Sequence, residues 1–204
     1  MEKRYHGLFK EYAEGEFIPT LLEFLQTDHK ILVVEYKGKH LNSLIGFQAD
    51  ALKSKIPLRF ILRLIGVQLF RKPLFQLLRM VSGGEWKNRL YRLCGMKIGK
   101  EVYIASDVYI DPFLPELITI GDGTIIGEHA TILTHEFTIK HARYGRVHIG
   151  EQVLVGAFSI IRGGITIGDR AIIAMDSLIN KDVPGSELVG GIPEHEIKKL
   201  KKLI

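Results

Sequence analysis

Aliphatic residues recur at every sixth position along the C-terminal half of the chain. The longest run extends from Ile149 to Val183, where isoleucine or valine opens each six-residue unit and a small or polar residue follows it. The fifth place of each unit is small or β-branched, and it is held by Val153, Ser159, Ile165, Ala171, Ser177 and Val183. A period of six fits neither an α-helix nor a flat strand. Short extended segments separated by tight bends keep such a period, which predicts a parallel β-helix.

The same period begins earlier and is interrupted twice. Aliphatic residues spaced by six start at Ile98 and again at Ile120, and the phase is lost between them over residues 111–116. A second interruption separates Ile132 from Ile149 by 17 residues, which is not a multiple of six. The intervening segment THEFTIKHARYGR is therefore expected to leave the β-helix as a loop at about residues 134–146. Loops on a rigid scaffold often carry functional residues.

The first 93 residues follow a different pattern, in which apolar residues recur at three to four positions. This spacing predicts helices over 8–27, over 47–55, from Pro57, from Pro73 and over 85–93. The run KILVVEY and the following KGK are instead typical of a strand and a turn. We therefore expect a mainly β chain with a helical N-terminal region (1–93), a β-helix (94–192) and a short basic tail helix (193–204).

Charge is distributed unevenly along the 204 residues, whose formal net charge is +5. Residues 1–93 hold 16 Lys/Arg against 9 Asp/Glu, whereas residues 94–204 hold 12 against 14. The basic amphipathic helix at 58–71 could lie on an anionic membrane surface, or it could pack against the protein or a neighbouring subunit. Both alternatives stay open at this point. Arg59 and Arg63 exclude a membrane span in this stretch.

The repeat, the loop and the tail together carry a family resemblance. The segments are ILTHEF, then VHIGEQVLVGAFSIIRGGITIGDRAIIAMDSLINKDVPG, then LVGGIPEHEIKK. Over about residues 95–199 the chain resembles the hexapeptide-repeat acyltransferases with a left-handed β-helix. It is most similar to the maltose, galactoside and nodulation O-acetyltransferases and the related surface-polysaccharide acetyltransferases. The resemblance implies a homotrimer that transfers an acetyl group from acetyl-CoA directly to a hydroxyl or amine of a sugar-containing acceptor.

The resemblance also assigns roles around the loop. His135 occupies the position of the family's general base, and a neutral imidazole suits this task because a sugar hydroxyl is a poor nucleophile until its proton leaves. Glu136 is expected either to orient the imidazole or to face the acceptor. Asp107 and Asp111 are expected to hold the acceptor, although the family's usual Asn pair near residues 105–107 reads Ala-Ser-Asp here.

Coenzyme A binding is implied by small residues on the side of the β-helix and by polar residues near its end. Gly156, Ala157 and Ala174 would allow pantetheine to approach closely, and the backbone N–H of Ala157 would bind the thioester oxygen as charge develops. The positions expected near the adenine and the phosphates are Asn180, Lys181, Lys198 and Lys199.

Two other interpretations remain at this stage. The same scaffold supports γ-type carbonic anhydrases, which need three zinc-binding histidines. The candidates His129, His135, His141 and His148 do not have that spacing, so no metal is expected. A non-catalytic scaffold or adaptor is the second alternative. No nucleic-acid partner is expected, and the lone Cys94 and the absence of a signal-peptide pattern in MEKRYHGLFK favour a cytoplasmic location.

Overall fold

The computed structural model describes residues 8–12, 17–36, 58–138, 141–192 and 195–199. The helices are α1 (Phe17–Gln26), α2 (Leu58–Gly66), α3 (Lys72–Arg79) and α4 (Glu85–Leu93), with a π-helical segment at Val67–Arg71 and a 3-10 turn at Pro115–Leu117. The strands are β1 (Leu8–Tyr12), β2 (Ile31–Tyr36), β3 (Lys97–Ile98), β4 (Tyr103–Ile104), β5 (Tyr109–Ile110), β6 (Ile118–Ile120), β7 (Ile125–Ile126), β8 (Thr131–Ile132), β9 (His135–Phe137), β10 (His141–Gly145), β11 (Val147–Ile149), β12 (Leu154–Val155), β13 (Ile160–Ile161), β14 (Thr166–Ile167), β15 (Ile172–Ile173), β16 (Leu178–Ile179), β17 (Glu187–Gly190) and β18 (His195–Lys199).

The chain forms two compact units. The first unit combines residues 1–66 with 135–145, and the second combines 67–134 with 146–204. This division differs from the predicted segments, because the predicted loop belongs with the N-terminal residues and the helices after residue 66 belong with the β-helix.

The first unit contains a four-stranded sheet in the order β1-β2-β10-β9. Strands β1 and β2 run parallel, whereas β10 runs antiparallel to both β2 and β9. The predicted strand in KILVVEY is confirmed as β2, and its Leu32 and Val34 are fully buried, as are Leu21 and Phe24 of α1. The helix predicted over 8–27 is correct only from Phe17 onward, because residues 8–12 pair along β2 as a strand. Pairing with a neighbouring strand here overrides the helical spacing.

The second unit is a left-handed parallel β-helix, as predicted. Its three faces are the sheets β3-β6-β11-β14, β4-β7-β12-β15-β17 and β5-β8-β13-β16, in which the neighbouring strands run parallel. The aliphatic residues that open each unit stack in register on the first face, from Ile98 through Ile120 and Ile149 to Ile167. All four are buried. The six-residue period therefore corresponds to one aliphatic residue per strand, and on each face of the β-helix these residues stack in a buried column.

The two interruptions of the period are insertions between complete coils. Ile149 and its partner Ile167 are 18 residues apart, whereas Ile120 and Ile149 are 29 apart. The excess of 29 − 18 = 11 residues equals the length of segment 135–145, which joins the first unit. Ile98 and Ile120 are 22 apart, and the four extra residues fall where the 3-10 turn forms.

Bends between the strands explain two further sequence features. At most bends the residue three places after the buried aliphatic adopts positive φ even where it is not glycine, as at Gln152 (φ 54°) and Phe158 (φ 62°). The glycine directly after the aliphatic serves close packing between coils instead. A Cβ on Gly156 would lie 2.4 Å from the backbone nitrogen of Met175, so that position requires glycine.

Helix α4 covers the open end of the β-helix, where β3, β4 and β5 have a neighbouring strand on one side only. Lys87 is fully buried, and its ammonium donates to the carbonyl oxygens of Val81, Ile104 and Ala105. The side chains of Asn88 and Arg92 cap further carbonyls of the first coil, those of Val102, Ile98 and Gly99. Burial lowers the pKa of Lys87 to about 8. These polar side chains satisfy backbone acceptors that no preceding coil can reach.

The other end of the β-helix corrects one prediction. Residues 195–199 form β18, antiparallel to β17, so the predicted tail helix is wrong over this segment. The backbone groups along β17 accept a further strand, and this pairing outweighs the helical propensity of the Lys-rich sequence. The predicted helix at 47–55 and the predicted KGK turn lie outside the described residues, as do residues 200–204.

Candidate active site

His135 lies at the point where the chain leaves the β-helix. It opens strand β9 and is paired with Tyr144 of β10. The imidazole is stacked on the Tyr144 ring with centroids 6.2 Å apart and planes 19° from parallel, and the Phe137 ring approaches it edge-on at 5.8 Å. Alternate residues of a strand share a face, which explains why His135 and Phe137 both meet Tyr144. The imidazole is therefore held among aromatic rings on a short antiparallel hairpin, and it stays half-buried.

Glu136 projects from the opposite face of β9. Its carboxylate lies 3.5 Å from the guanidinium of Arg143, the residue directly across on β10. Arg143 is buried, so this pair is shielded from water on one side. The structure thus brings Glu136 to Arg143, a partner that the sequence analysis did not identify. Strand alternation places that pair and the imidazole on different faces of the hairpin.

Asp111 is buried and holds the residue before His135. One carboxylate oxygen accepts hydrogen bonds from the backbone N–H (3.1 Å) and the hydroxyl (2.5 Å) of Thr134, and the other accepts from the N–H of Phe113 (2.9 Å). Only 1% of the Asp111 surface is exposed. Burial, reinforced by the negative charge of Asp111, raises the pKa of the neighbouring Tyr109. These contacts fix the exit of the loop from the second unit, whereas sequence alone predicted contact with the acceptor.

Asp107, the other predicted acceptor residue, lies on a bend of the first coil with φ at 55°. Its backbone N–H donates to the carbonyl of Arg79 at 2.6 Å, which ties the bend to α3. Its side chain is half-buried.

The predicted coenzyme residues Gly156, Ala157 and Ala174 share one corner of the β-helix. Among the described residues the Ala157 N–H donates to no other group, while its carbonyl accepts from Asp176 at 2.9 Å. The Ala174 carbonyl accepts the hydroxyls of Ser159 and Ser177. An amide in this state can bind an external oxygen, but Met175 offers a similar N–H at the same corner of the next coil. The donor alone therefore does not single out Ala157.

The predicted residues for the adenine and the phosphates lie toward the last coil. Asn180 follows β16 and is half-buried, and Lys181 is exposed in the next turn. Lys198 and Lys199 lie in β18, where their backbones pair with Leu188 and Glu187 of β17.

Comparison with known proteins supports one family. A family model described as bacterial transferase hexapeptide (six repeats) matches residues 146–181. SAS0727 of Staphylococcus aureus (strain MSSA476), named only provisionally as an acetyltransferase, is 42% identical over 117 residues, which cover 57% of this chain and 72% of that protein. The chain belongs to the hexapeptide-repeat family of bacterial transferases.

Other hexapeptide-repeat proteins are less completely covered or more distant. YvoF of Bacillus subtilis (strain 168), also a provisionally named acetyltransferase, is 45% identical over 108 residues, which cover 52% of this chain and 63% of YvoF. The chain therefore spans less than two thirds of that relative. A Vibrio cholerae O1 biovar eltor acetyltransferase solved with acetyl coenzyme A has a TM-score of 0.58 at 23% identity, over 67% of this chain and 88% of that one. A maltose O-acetyltransferase from Clostridium difficile 630 has a TM-score of 0.56 at 23% identity, over 69% and 89%. These two structures share the fold.

The other three histidines considered as zinc ligands lie on different elements of this family member. His129 lies on a bend and is stacked on Phe158 with centroids 4.7 Å apart, and His148 is exposed on the outer side of β11. His141 begins β10 and its backbone N–H donates to the Thr138 hydroxyl. In the described part of the chain, no group of three or more His, Cys, Asp or Glu side chains could hold a metal ion.

The contacts of Thr134 and Tyr144 beside His135, and of Arg143 with Glu136, were not predicted from the sequence. One signal was present, since Ala142 and Tyr144 alternate with His141 and Arg143 as expected for a strand. The pairing of Thr134 with Asp111, 23 residues earlier, left no such signal.

Proposed function

We propose that the protein is an acetyltransferase that moves an acetyl group from acetyl-CoA to a hydroxyl or amine of a sugar or sugar-containing acceptor. The observation that carries the proposal is His135 at the first residue beyond the β-helix, held by rings on a fixed hairpin. Family membership supports acyl transfer. The names of the Vibrio cholerae and Clostridium difficile structures support acetyl-CoA as donor and a sugar as acceptor.

In this mechanism His135 acts as general base in direct transfer. A ring nitrogen accepts the proton of the acceptor hydroxyl as the hydroxyl oxygen attacks the thioester carbonyl carbon. The carbon–sulfur bond then breaks, and the coenzyme thiolate takes up the proton carried by the imidazolium. No covalent acetyl-enzyme is formed. General base catalysis of this kind contributes about 100-fold to 10,000-fold in rate.

The Ala157 N–H is proposed to stabilise the oxygen of the thioester as it becomes negative. Such a donor is worth about 3 kcal/mol in the transition state. Its state as an amide that donates to no described group supports this role. The small residues Gly156 and Ala174 would let the pantetheine arm approach the backbone closely. The residues proposed to face the adenine and the phosphates are Asn180, Lys181, Lys198 and Lys199. Lys suits phosphate as a compact point charge.

A homotrimer is proposed as the working assembly. Two outer faces of the β-helix carry partly exposed rows of apolar side chains. One row consists of Tyr103, Ile125 and Leu154, and the other consists of Tyr109 and Ile160. The corner between them adds exposed Phe158 and Met175, whereas the third face carries Lys97, Thr119, His148 and Thr166. These exposed apolar rows support the proposal that another protein chain covers them.

The proposal is tested by an acetyl-CoA consumption screen over hydroxyl and amine acceptors, run with the parent protein, His135→Ala and His148→Ala. We expect one acceptor class to be acetylated by the parent, a loss of at least about 100-fold in His135→Ala, and a rate close to the parent's in His148→Ala. Equal rates for parent and His135→Ala would remove the assigned base. Absence of both acetyl-CoA binding and consumption would favour a non-catalytic scaffold.

A further inference from the structure

Helices α2 and α3 and the residues around them contain many cations and no acidic residue. Residues 51–84 include no Asp or Glu, and their Lys and Arg residues are Lys53, Lys55, Arg59, Arg63, Arg71, Lys72 and Arg79. A stretch of this length without a carboxylate is unusual in a chain whose charged residues total 28 basic and 23 acidic. Its partner is therefore expected to be anionic.

The second unit exposes large apolar side chains within this cationic stretch. Leu69, Phe70, Leu77 and Met80 are 64%, 70%, 64% and 75% exposed. The other side of the same segment packs on the β-helix, because Phe75 and Leu78 are buried in its core. A helix secured by one apolar side presents a second apolar side outward.

Helix α2 of the first unit likewise combines exposed apolar side chains with basic residues and no acidic one. Leu58, Leu62 and Ile65 are exposed, and their spacing of four and three residues places them on one side of the helix. Arg63 lies in its last turn.

Exposed Lys72 supplies a cation beside the apolar side chains of α3. Two other cations of this segment have internal contacts, since Arg71 reaches the Phe113 carbonyl at 3.5 Å and Arg79 lies 5.5 Å from the centre of the Tyr109 ring. No helix in the described part of the chain is long and apolar enough to cross a membrane.

We propose that the basic apolar surface formed by Leu69, Phe70, Lys72, Leu77 and Met80 binds an anionic lipid bilayer peripherally. The apolar side chains would enter the interfacial region, and Lys72 would meet lipid phosphates. A second copy of the chain is the less suitable occupant, because two such surfaces placed together would bring like charges together without a carboxylate from either segment. This inference does not depend on the proposed enzymatic reaction.

The test is co-sedimentation of the full chain with phosphatidylcholine vesicles prepared with and without phosphatidylglycerol. We expect binding only to the vesicles that contain phosphatidylglycerol, and weaker binding as salt is raised. Lys72→Glu should weaken binding about 30-fold. Each unit of charge near an anionic surface contributes about fivefold, and the reversal from Lys to Glu changes the charge by two units. Lys100→Glu, which makes the same charge change in the first turn of the β-helix, should bind like the parent.

The apolar contribution has its own pair of variants. Leu77→Gln should weaken binding at least about tenfold, whereas Ile192→Gln, at 68% exposure near the last coil, should not. Circular dichroism checks that each variant is folded. Failure to bind phosphatidylglycerol vesicles at low salt would overturn the proposal, as would equal losses in the paired variants. Self-association that Leu77→Gln abolishes, without vesicle binding, would assign the surface to a second copy.

Discussion

Replacement of Lys87 by methionine tests whether side chains of α4 hold the open end of the β-helix together. The Lys87 ammonium is fully buried and lies 2.8, 3.1 and 2.9 Å from the carbonyl oxygens of Val81, Ile104 and Ala105. Methionine has a similar length and fills the same space. The substitution therefore removes the hydrogen bonds and leaves the packing of the aliphatic stem nearly unchanged.

Opposing contributions determine the size of the effect. Each buried carbonyl left without a donor costs about 1–3 kcal/mol. The variant also gains, because a charged group no longer has to be buried, and the lowered pKa of Lys87 shows that this burial is unfavourable to the charge. Three carbonyls without a donor would together cost about 3–9 kcal/mol, and the removal of the buried charge offsets part of this loss. We expect Lys87→Met to lower the free energy of unfolding by about 3 kcal/mol at neutral pH.

Urea unfolding followed by circular dichroism measures this difference, with protein concentration held constant because the assembly affects apparent stability. Arg89→Met is the matched control, since Arg89 lies on the same helix with its side chain 75% exposed. Its effect should stay within about 0.5 kcal/mol. A loss below about 1 kcal/mol for Lys87→Met, with an unchanged urea dependence, would refute the capping argument.

Three other predictions concern pH and packing. Burial lowers the pKa of Lys87 from 10.5 to about 8. Between pH 8 and pH 10.5 the unfolded chain therefore binds more protons than the folded chain, so the free energy of unfolding should rise with pH. Urea unfolding of the parent should show this rise, and Lys87→Met should lack it. Asp111→Asn should lower stability by about 2 kcal/mol, because in either orientation the amide NH₂ would face a backbone N–H, that of Thr134 or that of Phe113, from which the carboxylate accepts. An unchanged thermal midpoint would contradict this. Gly156→Ala should cost about 1–3 kcal/mol through its clash with the next coil, whereas Gly66→Ala, where a Cβ meets nothing within 4 Å, should be tolerated in thermal unfolding.

The β-helix could be predicted because its stabilising contacts repeat at a fixed short distance along the sequence. Every coil buries equivalent side chains, so Ile149 and Ile167 carry the same information as Ile120. The first unit has no such repetition. Strand β2 pairs with β10 about a hundred residues away, and nothing in KILVVEY specifies HARYG as its neighbour. Local periodicity therefore favoured a helix at Leu8–Tyr12, where pairing produces a strand.

In the candidate site, too, features with a local sequence signal were predicted, whereas long-range contacts were not. The loss of the six-residue phase predicted the loop, which is a local signal, and the family resemblance then assigned the role of general base to His135 at its start. Lys87 was not distinguished from the other Lys and Arg residues of 1–93, because sequence does not show which lysine becomes buried. Asp111 was assigned to the acceptor by the family resemblance, whereas in the structure its carboxylate accepts hydrogen bonds from Thr134 and Phe113.

The sheet of the first unit gives the N-terminal residues a physical connection to the candidate base. His135 lies on β9, which pairs with β10, and β10 in turn pairs with β2. A two-stranded hairpin is marginally stable alone, whereas a third strand and a buried face make it persist. Leu32 and Val34 of β2 pair with Tyr144 and Ala142 of β10, and all four are buried. The ring against which the His135 imidazole is stacked is therefore fixed by a strand near the start of the chain. Substitutions in β2 would then alter the surroundings of the base while leaving the sequence of the β-helix unchanged.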